Sequence, residues 1–548
     1  MKKCLRALLF LWTLQGFAAF NLTWGIPAVN LDSNPPLGDT DVKAIIAIDP
    51  SGNAVATWGR TTAHHASEDI WAAVYNHSAR VWSGAVKISG GGSASNPQVA
   101  IDAEGNAIFV WEEGFPSEIM SRSLSHAGVF EPPLSLAPTT IQSSSKAQIT
   151  PQIVLENDGE ALCVWLEFSS GAYQIHSAKK PNASSWQSLG PISSQSSHIN
   201  FWHKSLKMNE QGNAFTVWEE ADSTSTAVFG AQYLNGSWLS PLLIASNAKS
   251  PVAAIDNQDN VVIAWNQDNT IQSKRLKNGL LTQVTTISQP EYKALHPDIG
   301  VDALGNAVVV FERYNSMHKF ICGSTLKGDD LNWSSPVDVS GPSAAEAIGA
   351  GYPVLSLNAI GDGVVVWKEF NGTNMLIQGA GFSLGTWSST KTLSSLESNA
   401  GAPLPTYDID VGVNLSGNII AIWPEDPTGS GSQQIKTTAG VGLANIAPPP
   451  PVIDPVSIFS GIASGTQILH RFPAHGDLIN ILTWSAPESP VSFYNIYRNN
   501  FSSLIGTSVN PRYEDHQRPA RTQETYLITC VDQNGQESCP ITIVVDPK

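Results

Sequence analysis

An all-β chain, an eight-bladed β-propeller followed by a smaller β-sandwich, is the fold class this sequence predicts, and three observations carry the prediction. A segment of the form Asp-x-x-Gly-Asn, running on into an apolar stretch that ends in Trp, recurs along roughly the first 450 residues. The copies stand about fifty residues apart, and turn residues separate short β-rich runs throughout. Helical periodicity is hard to find anywhere.

The period comes first. The closing aromatic falls at Trp58, Trp111, Trp165, Trp218, Trp265, Phe311, Trp367 and Trp423, at spacings of 46 to 56 residues. That is far too long for a leucine-rich or β-helical coil and suits a propeller blade. The second copy shows the unit: "NPQVAID", the turn "AEGN", "AIFVWEE", "EIMSRSLS" and "VFEPPLSLA" read as four strands with their first turn. Second strands such as "AVATW" and "AVVVF" are apolar on both faces, as a sheet packed between two neighbours requires. The eighth copy lacks a good fourth strand. Residues 23–33, "TWGIPAVNLDS", are similar to the fourth strands "VWSGAVKIS" and "NWSSPVDVS". The N-terminal strand is therefore expected to complete the eighth blade and hide an edge that would invite aggregation.

The turn itself looks chemical and is expected to be structural. Its first position is Asp49, Asp102, Glu156, Asn209, Asp256, Asp302, Asn358 and Asn414. Three Asn residues do not suit a metal or an acid, but all eight supply the oxygen that caps a turn's backbone N–H. The glycine three residues later (Gly52, Gly105, Gly159, Gly212) fits a positive φ after a type I turn, and Asp259 tolerates that conformation at some cost. The alternating ligand run of a calcium loop is absent.

Length and composition frame the rest. A chain of 548 residues is too long for one core, so at least two domains are expected. Apolar residues make up 42% and charged residues only 14%, with a net charge of −17 and no basic run. Nucleic acid and anionic membranes are therefore poor partners. The start, "MKKCLRALLFLWTLQGFAAFN", reads as a secretory signal over residues 1–18, cleaved after Ala18. No later stretch is long and apolar enough for a transmembrane segment. The expected protein is a monomer outside the cytoplasm, secreted, periplasmic or surface-associated.

The propeller is assigned to residues 19–446 and a stiff proline spacer to 447–452. In residues 453–548, "LINILTWSAP", "FYNIYRNN" and "ETYLITCVDQNGQES" each carry a strand. This stretch resembles a fibronectin type III domain through Trp484, the Tyr494/Tyr497 strand and Tyr526, which stands where the tyrosine corner would be. Cys530 and Cys539 flank "DQNGQ". A two-residue Asn534-Gly535 turn would place them opposite each other and favour a disulfide, which a bulge would spoil. Cys163 and Cys322, in different blades, are expected to be unpaired, buried and inert.

The repeat also resembles the Asp boxes of sialidase-like propellers. That resemblance implies six blades, three clustered arginines and a Tyr–Glu nucleophile pair. Here the copies number eight, and the region holds only Arg60, Arg80, Arg122, Arg275 and Arg313, so the likeness covers the turn and not an active site. The residue two past each aromatic should sit at the rim opposite the turns: Arg60, Glu113, Glu167, Glu220, Gln267, Arg313, Glu369 and Glu425. Such a ring could bind a glycan or protein ligand; solvated strand ends are the plainer reading. His64, His65, Glu68 and Asp69 match no tetrahedral metal site, and Phe201 with Trp202 reads as core. No metal, cofactor or catalytic residue is expected. The resulting expectation is a non-catalytic binding or adhesion protein. The alternatives are a carbohydrate-active enzyme, since paired carboxylates can cleave glycosidic bonds, and a structural envelope component.

Overall fold

The computed structural model describes residues 22–545 apart from 26–27, 32–38, 62–67, 91–92, 133, 136–145, 183, 202–203, 223–224, 316–317, 329, 331, 341–348, 401–407, 427–432, 443–465, 472–475, 485–491, 500–503, 517, 519–521 and 532–540. The expected signal, the proline spacer, the His64–His65 pair and Cys539 lie outside the described residues. The chain divides into two compact units, Met1–Ala444 and Asn445–Lys548. Among the described residues there are strands and no helix, and none is long and apolar enough to cross a membrane as a helix.

Among its described residues the first unit contains eight antiparallel sheets, numbered here in the order of their turns. Sheet 2 is representative: Ala94–Ile101, Ala107–Glu113, Glu118–Leu124 and the short Leu134–Ser135 pair in that order. First strands pack side by side from sheet to sheet. Thr40–Ile48 of sheet 1 packs against Asp410–Val413 of sheet 8, so the eight first strands close a propeller-like ring. The repeating Trp of each second strand, and Phe311 in sheet 6, is wholly or almost wholly buried between sheets. Truncating a buried aromatic of this kind costs roughly 3–5 kcal/mol.

Sheet 8 is built as its incomplete sequence requires. Leu22–Trp24 and Val29–Asn30 pair with Gln434–Gly442, bringing the N-terminal segment in as the outer strand. Trp24 also takes the place of the outer-strand Trp found in other sheets. Those indoles lie on a small third-strand residue of the preceding sheet: Trp186 on Ser121, Trp333 on Ser273, and Trp387 on Gly323. Trp24 lies on Gly379 in the same way, where a Cβ would stand 3.3 Å from the ring.

The second unit pairs a three-stranded sheet, Thr466–Arg471, Gly476–Thr483 and Arg512–Asp515, with a four-stranded one that includes Phe493–Arg498 and Glu524–Val531. Trp484 meets Tyr494 edge-on at 5.1 Å, and both are buried in its core with Cys530. The Tyr526 hydroxyl bonds to side chains, Asp515 Oδ2 at 2.7 Å and Asn480 Nδ2 at 2.8 Å, where a tyrosine corner would use backbone.

Candidate functional site

The turns are capped hairpins. In sheet 2, Asp102 Oδ1 accepts the Asn106 N–H at 2.8 Å and its Oδ2 accepts Asn106 Nδ2 at 2.9 Å; Asp49, Asp256 and Asp302 repeat the pattern. Where the first residue is Asn, one amide oxygen does the same work, and the freed NH2 ties the next sheet. Asn209 Nδ2 reaches Asp256 O at 2.9 Å, and Asn414 Nδ2 reaches Pro50 O at 3.0 Å across the ring closure. The glycine is required twice over. Gly305 has φ of +78°, and a Cβ there would lie 3.0 Å from Asp256 Oδ2 of the preceding turn.

The residues expected at the opposite rim are mostly engaged within their own sheets. Trp111 Nε1 donates to Glu113 at 2.7 Å, Trp218 to Glu220 at 2.8 Å, Trp265 to Gln267 at 3.1 Å, Trp367 to Glu369 at 3.0 Å and Trp423 to Glu425 at 2.8 Å. In these five sheets the residue two on supplies the acceptor that a buried indole N–H would otherwise lack. Sheet 6 supplies the control: Phe311 has no N–H, and its position holds Arg313, which pairs with Asp338 at 2.6 Å. In sheets 1 and 3 the indole nitrogens of Trp58 and Trp165 have no hydrogen-bond partner. There Arg60 makes a buried two-point pair with Asp41 at 2.6 and 3.0 Å, and Glu167 takes Lys146 at 2.7 Å.

The convergent chemistry sits on the first strands. In six sheets that strand carries a bulge six residues before the turn. Its extra residue (Lys43, Asn96, Thr150, Ser250, His296 or Tyr352) has φ between +48° and +56°. Sheet 4 has Lys204 at +64°, one residue later. Five of the bulge residues precede a proline, which cannot donate to the ladder: Pro97, Pro151, Pro251, Pro297 and Pro353. "NPQ", "TPQ", "SPV", "HPD" and "YPV" were the signal for this site; a proline inside an otherwise regular strand marks a bulge.

Two clusters form at this end of the ring. In the first, Lys43 Nζ donates to Asn96 Oδ1 at 2.7 Å. Glu112 Oε1 accepts Asn96 Nδ2 at 2.5 Å and the Thr150 N–H at 2.6 Å, and its Oε2 accepts Ser95 Oγ at 3.2 Å. Glu68 turns its carboxyl in over Gly59, where a Cβ would lie 1.7 Å from Oε1. That oxygen is buried and has no hydrogen-bond partner. Burial pushes the Glu68 pKa up, with Lys43 opposing and Glu112 reinforcing.

In the second cluster Glu312 is fully buried. Its Oε1 lies 2.9 Å from His296 Nδ1 and accepts the Tyr352 N–H at 2.8 Å, while Oε2 accepts the Tyr314 hydroxyl at 2.5 Å. Burial pushes this carboxyl up, yet His296, Tyr314 and the Tyr352 N–H together hold its pKa below the usual carboxylate range. The His296 and Tyr352 rings lie 4.8 Å apart. Beside them, Lys368 and Asp408 form a buried ion pair.

Between the bulges and the turns runs a channel of about 430 Å³ lined by the first strands of all eight sheets. The residue two before each turn lines it: Ala47, Ala100, Val154, Lys207, Ala254, Gly300, Ser356 and Gly412. Seven are small and one is lysine. Lys204 of sheet 4 reaches Asp410 of sheet 8, on the opposite side of the ring, at 2.5 Å. Asp410 also accepts the N–H groups of Val411 at 2.8 Å and Ile46 at 3.0 Å. Burial opposes the Lys204 charge, but Asp410, with Asp298 behind it, holds its pKa above the usual lysine value. At the turn end a depression of about 210 Å³ shares Leu155, Met208, Ile255 and Val301 with the channel and adds Glu156, Glu210, Asp256 and Asp302.

Elsewhere, Phe201 is buried in the core between sheets 3 and 4, and Trp202 lies outside the described residues. Cys163 and Cys322 are unpaired and buried, and burial pushes both thiols up. Among the described residues no group of three or more His, Cys, Asp or Glu side chains could hold a metal ion.

No protein-family model matches the sequence, and a search of curated proteins finds no match. Solved structures similar to the chain include a polysaccharide lyase, an ulvan lyase of family PL25, with TM-score 0.40, 9% identity, and 64% of this chain and 94% of that one covered. The Dos1 propeller has TM-score 0.40 and 9% identity, covering 77% and 95%. A Hadza microbial sialidase has TM-score 0.37 and 10% identity, covering 64% and 68%. The expectation of a non-catalytic protein is corrected by this comparison, because the lyase and the sialidase are enzymes. Likeness at this level assigns no activity to the present chain.

Proposed function

We propose that the first unit is an eight-bladed β-propeller, that the second is a fibronectin type III sandwich, and that the chain is an exported carbohydrate-active protein. Its site is the bulge-side mouth of the ring. The observation that carries this reading is the Glu68 carboxyl, held inside the protein with one oxygen unbonded, beside Lys43 and Glu112. A carboxyl whose pKa burial raises is the better proton donor to a sugar oxygen. A second carboxylate, oriented by Asn96, Ser95 and the Thr150 N–H, supplies the fixed acceptor. Glycosidic cleavage uses a pair of carboxyl groups, one as proton donor and one as carboxylate. The adjacent leader-like start, "MKKCLRALLFLWTLQGFAAFN", supports export, and the Trp484, Tyr494 and Tyr526 core supports the sandwich.

The test is a glycan array with the intact protein, followed by a reducing-end assay on every glycan bound. Binding that falls at least tenfold in Glu68→Gln and Glu112→Gln supports the reading. Absence of any glycan bound, or binding indifferent to both changes, removes it.

A further inference from the structure

The carboxyl pair at Glu68 and Glu112 uses none of the groups gathered around Glu312, at sheets 6 and 7 of the same mouth. His296 is held there at φ of +48°, a left-handed conformation kept only where the surroundings impose it. Its Nδ1 is buried and lies 2.9 Å from Glu312 Oε1, while the side chain as a whole is 28% exposed. The exposed part of the ring is therefore the part that carries Nε2. An ionised carboxylate beside Nδ1 keeps a proton on that nitrogen and leaves Nε2 as the atom that accepts one. Glu312 itself is spent: fully buried, it also holds the Tyr314 hydroxyl and the Tyr352 N–H, so it positions His296 and meets no ligand. The Tyr352 ring stands 4.8 Å from the His296 ring, and burial and the Glu312 charge push its pKa up, so its hydroxyl stays protonated. Lys293 and Lys319 flank Tyr314 on the two neighbouring strands, their Nζ atoms 5.4 and 4.9 Å from its ring. Among the described residues neither ammonium is in an ion pair.

We propose that this cluster cleaves an acidic polysaccharide by β-elimination, with His296 Nε2 as the base, Tyr352 as the acid, and Lys293 and Lys319 holding the carboxylate of a uronate unit. The proposal rests on the reading of the chain as carbohydrate-active and adds a second chemistry to it. A C–H beside a carboxylate gives up its proton readily only when the charge that develops on that carboxylate is neutralised, and two ammonium groups supply the neutralisation. Nε2 takes the proton from C5 of the uronate, and the electron pair left behind forms the C4–C5 double bond. The bond from C4 to the bridging oxygen breaks, and the Tyr352 hydroxyl gives that oxygen its proton. The imidazolium then returns a proton to the phenolate, so the step consumes no water and both groups end as they began. Hydrolysis by paired carboxyl groups does not fit the same cluster. Glu312 is saturated by its three partners, and Asp408 is bound to Lys368.

The test incubates the intact protein with pectate, alginate, hyaluronan and glucuronan, following both new reducing ends and the ultraviolet absorbance of a conjugated, unsaturated uronate. We expect at least one polymer to give one unsaturated end for each new reducing end. His296→Asn installs the residue that Asn96 already places at the equivalent bulge before Pro97. It should keep the parent melting curve and lower the rate about 10²–10⁴-fold, the usual contribution of a positioned base. Tyr352→Phe should lower the rate at least tenfold. Lys293→Gln combined with Lys319→Gln should raise KM at least tenfold with a smaller change in kcat. Unsaturated ends formed as fast by His296→Asn as by the parent overturn the proposal. Reducing ends without unsaturated ones, or glycans bound with none of the four polymers cleaved, overturn it and leave the carboxyl-pair reading standing; absence of any bound glycan removes both.

Discussion

Replacing Glu369 by Leu tests why an acid follows the buried tryptophan. Trp367 is fully buried, and its Nε1 donates to Glu369 Oε2 at 3.0 Å. Leucine at 369 leaves that N–H without an acceptor, at a cost of about 1–3 kcal/mol. Trp367→Phe removes the donor, at the expense of some packing. If the acid is there for the indole, the double variant recovers most of the first loss, giving a coupling of about 1–2 kcal/mol in a double-mutant cycle. Sheet 6 lacks both partners naturally: Phe311 replaces the tryptophan, and the place two residues on holds Arg313 in place of a carboxylate. Urea unfolding of the four proteins, followed by far-ultraviolet circular dichroism at fixed pH, measures the cycle. Additivity within about 0.5 kcal/mol would refute the reasoning and return Glu369 to the role of a solvated strand end.

Other perturbations read different parts of the ring. A carboxyl whose pKa rises on folding stabilises the fold below its unfolded value, near 4.5 for Glu68, and loses that contribution as pH climbs through the folded value; Glu68→Gln should therefore flatten the fall in melting temperature above pH 4.5, and an unchanged pH profile counts against a buried Glu68. Arg60→Met strips the guanidinium from Asp41, itself fully buried, and should cost about 3–5 kcal/mol in denaturant melts, most of it recovered in Asp41→Leu/Arg60→Met. Gly305→Ala forces a side chain into a +78° backbone beside Asp256 and should cost roughly 1–2 kcal/mol per strained residue; a neutral thermal shift would contradict the turn geometry. Deleting residues 22–30 uncovers the edge of Gln434–Gly442, and size-exclusion chromatography should then show self-association that the parent lacks.

The ring was legible in the sequence because its turn is a stereochemical requirement repeated eight times. An oxygen at position one and a left-handed residue at position four leave few residue types, so Asp or Asn and Gly mark all copies but two, where Glu156 and Asp259 stand in. Trp24 was legible for the same reason: it answers a small residue on the neighbouring sheet, as Trp387 answers Gly323. The site was less legible. Glu113, Glu220, Glu369 and Glu425 look like part of a charged rim in one dimension, and only the fold brings these four carboxylates back onto the indole two residues earlier. Lys43, Asn96, Glu68 and Glu112 come from two sheets and four strands, with no common spacing. Lys204 and Asp410 are separated by about half the unit and meet only because the ring brings sheets 4 and 8 face to face. Their one local mark, proline after the bulge residue, is absent at both Lys43 and Lys204.

The outer strand of sheet 8 also sets a clock. Leu22–Trp24 is among the first parts of the unit to be synthesised, and its partner Gln434–Gly442 among the last. The bond from Thr438 Oγ1 to Gly25 O spans 413 residues. At ribosomal rates of about 5–20 residues per second, the first strand waits on the order of 20–80 s before its partner exists. During that interval it must remain unpaired while seven complete sheets form beside it. The same few residues form the seam between the two ends of the unit, joined through backbone pairing to Gln434–Gly442.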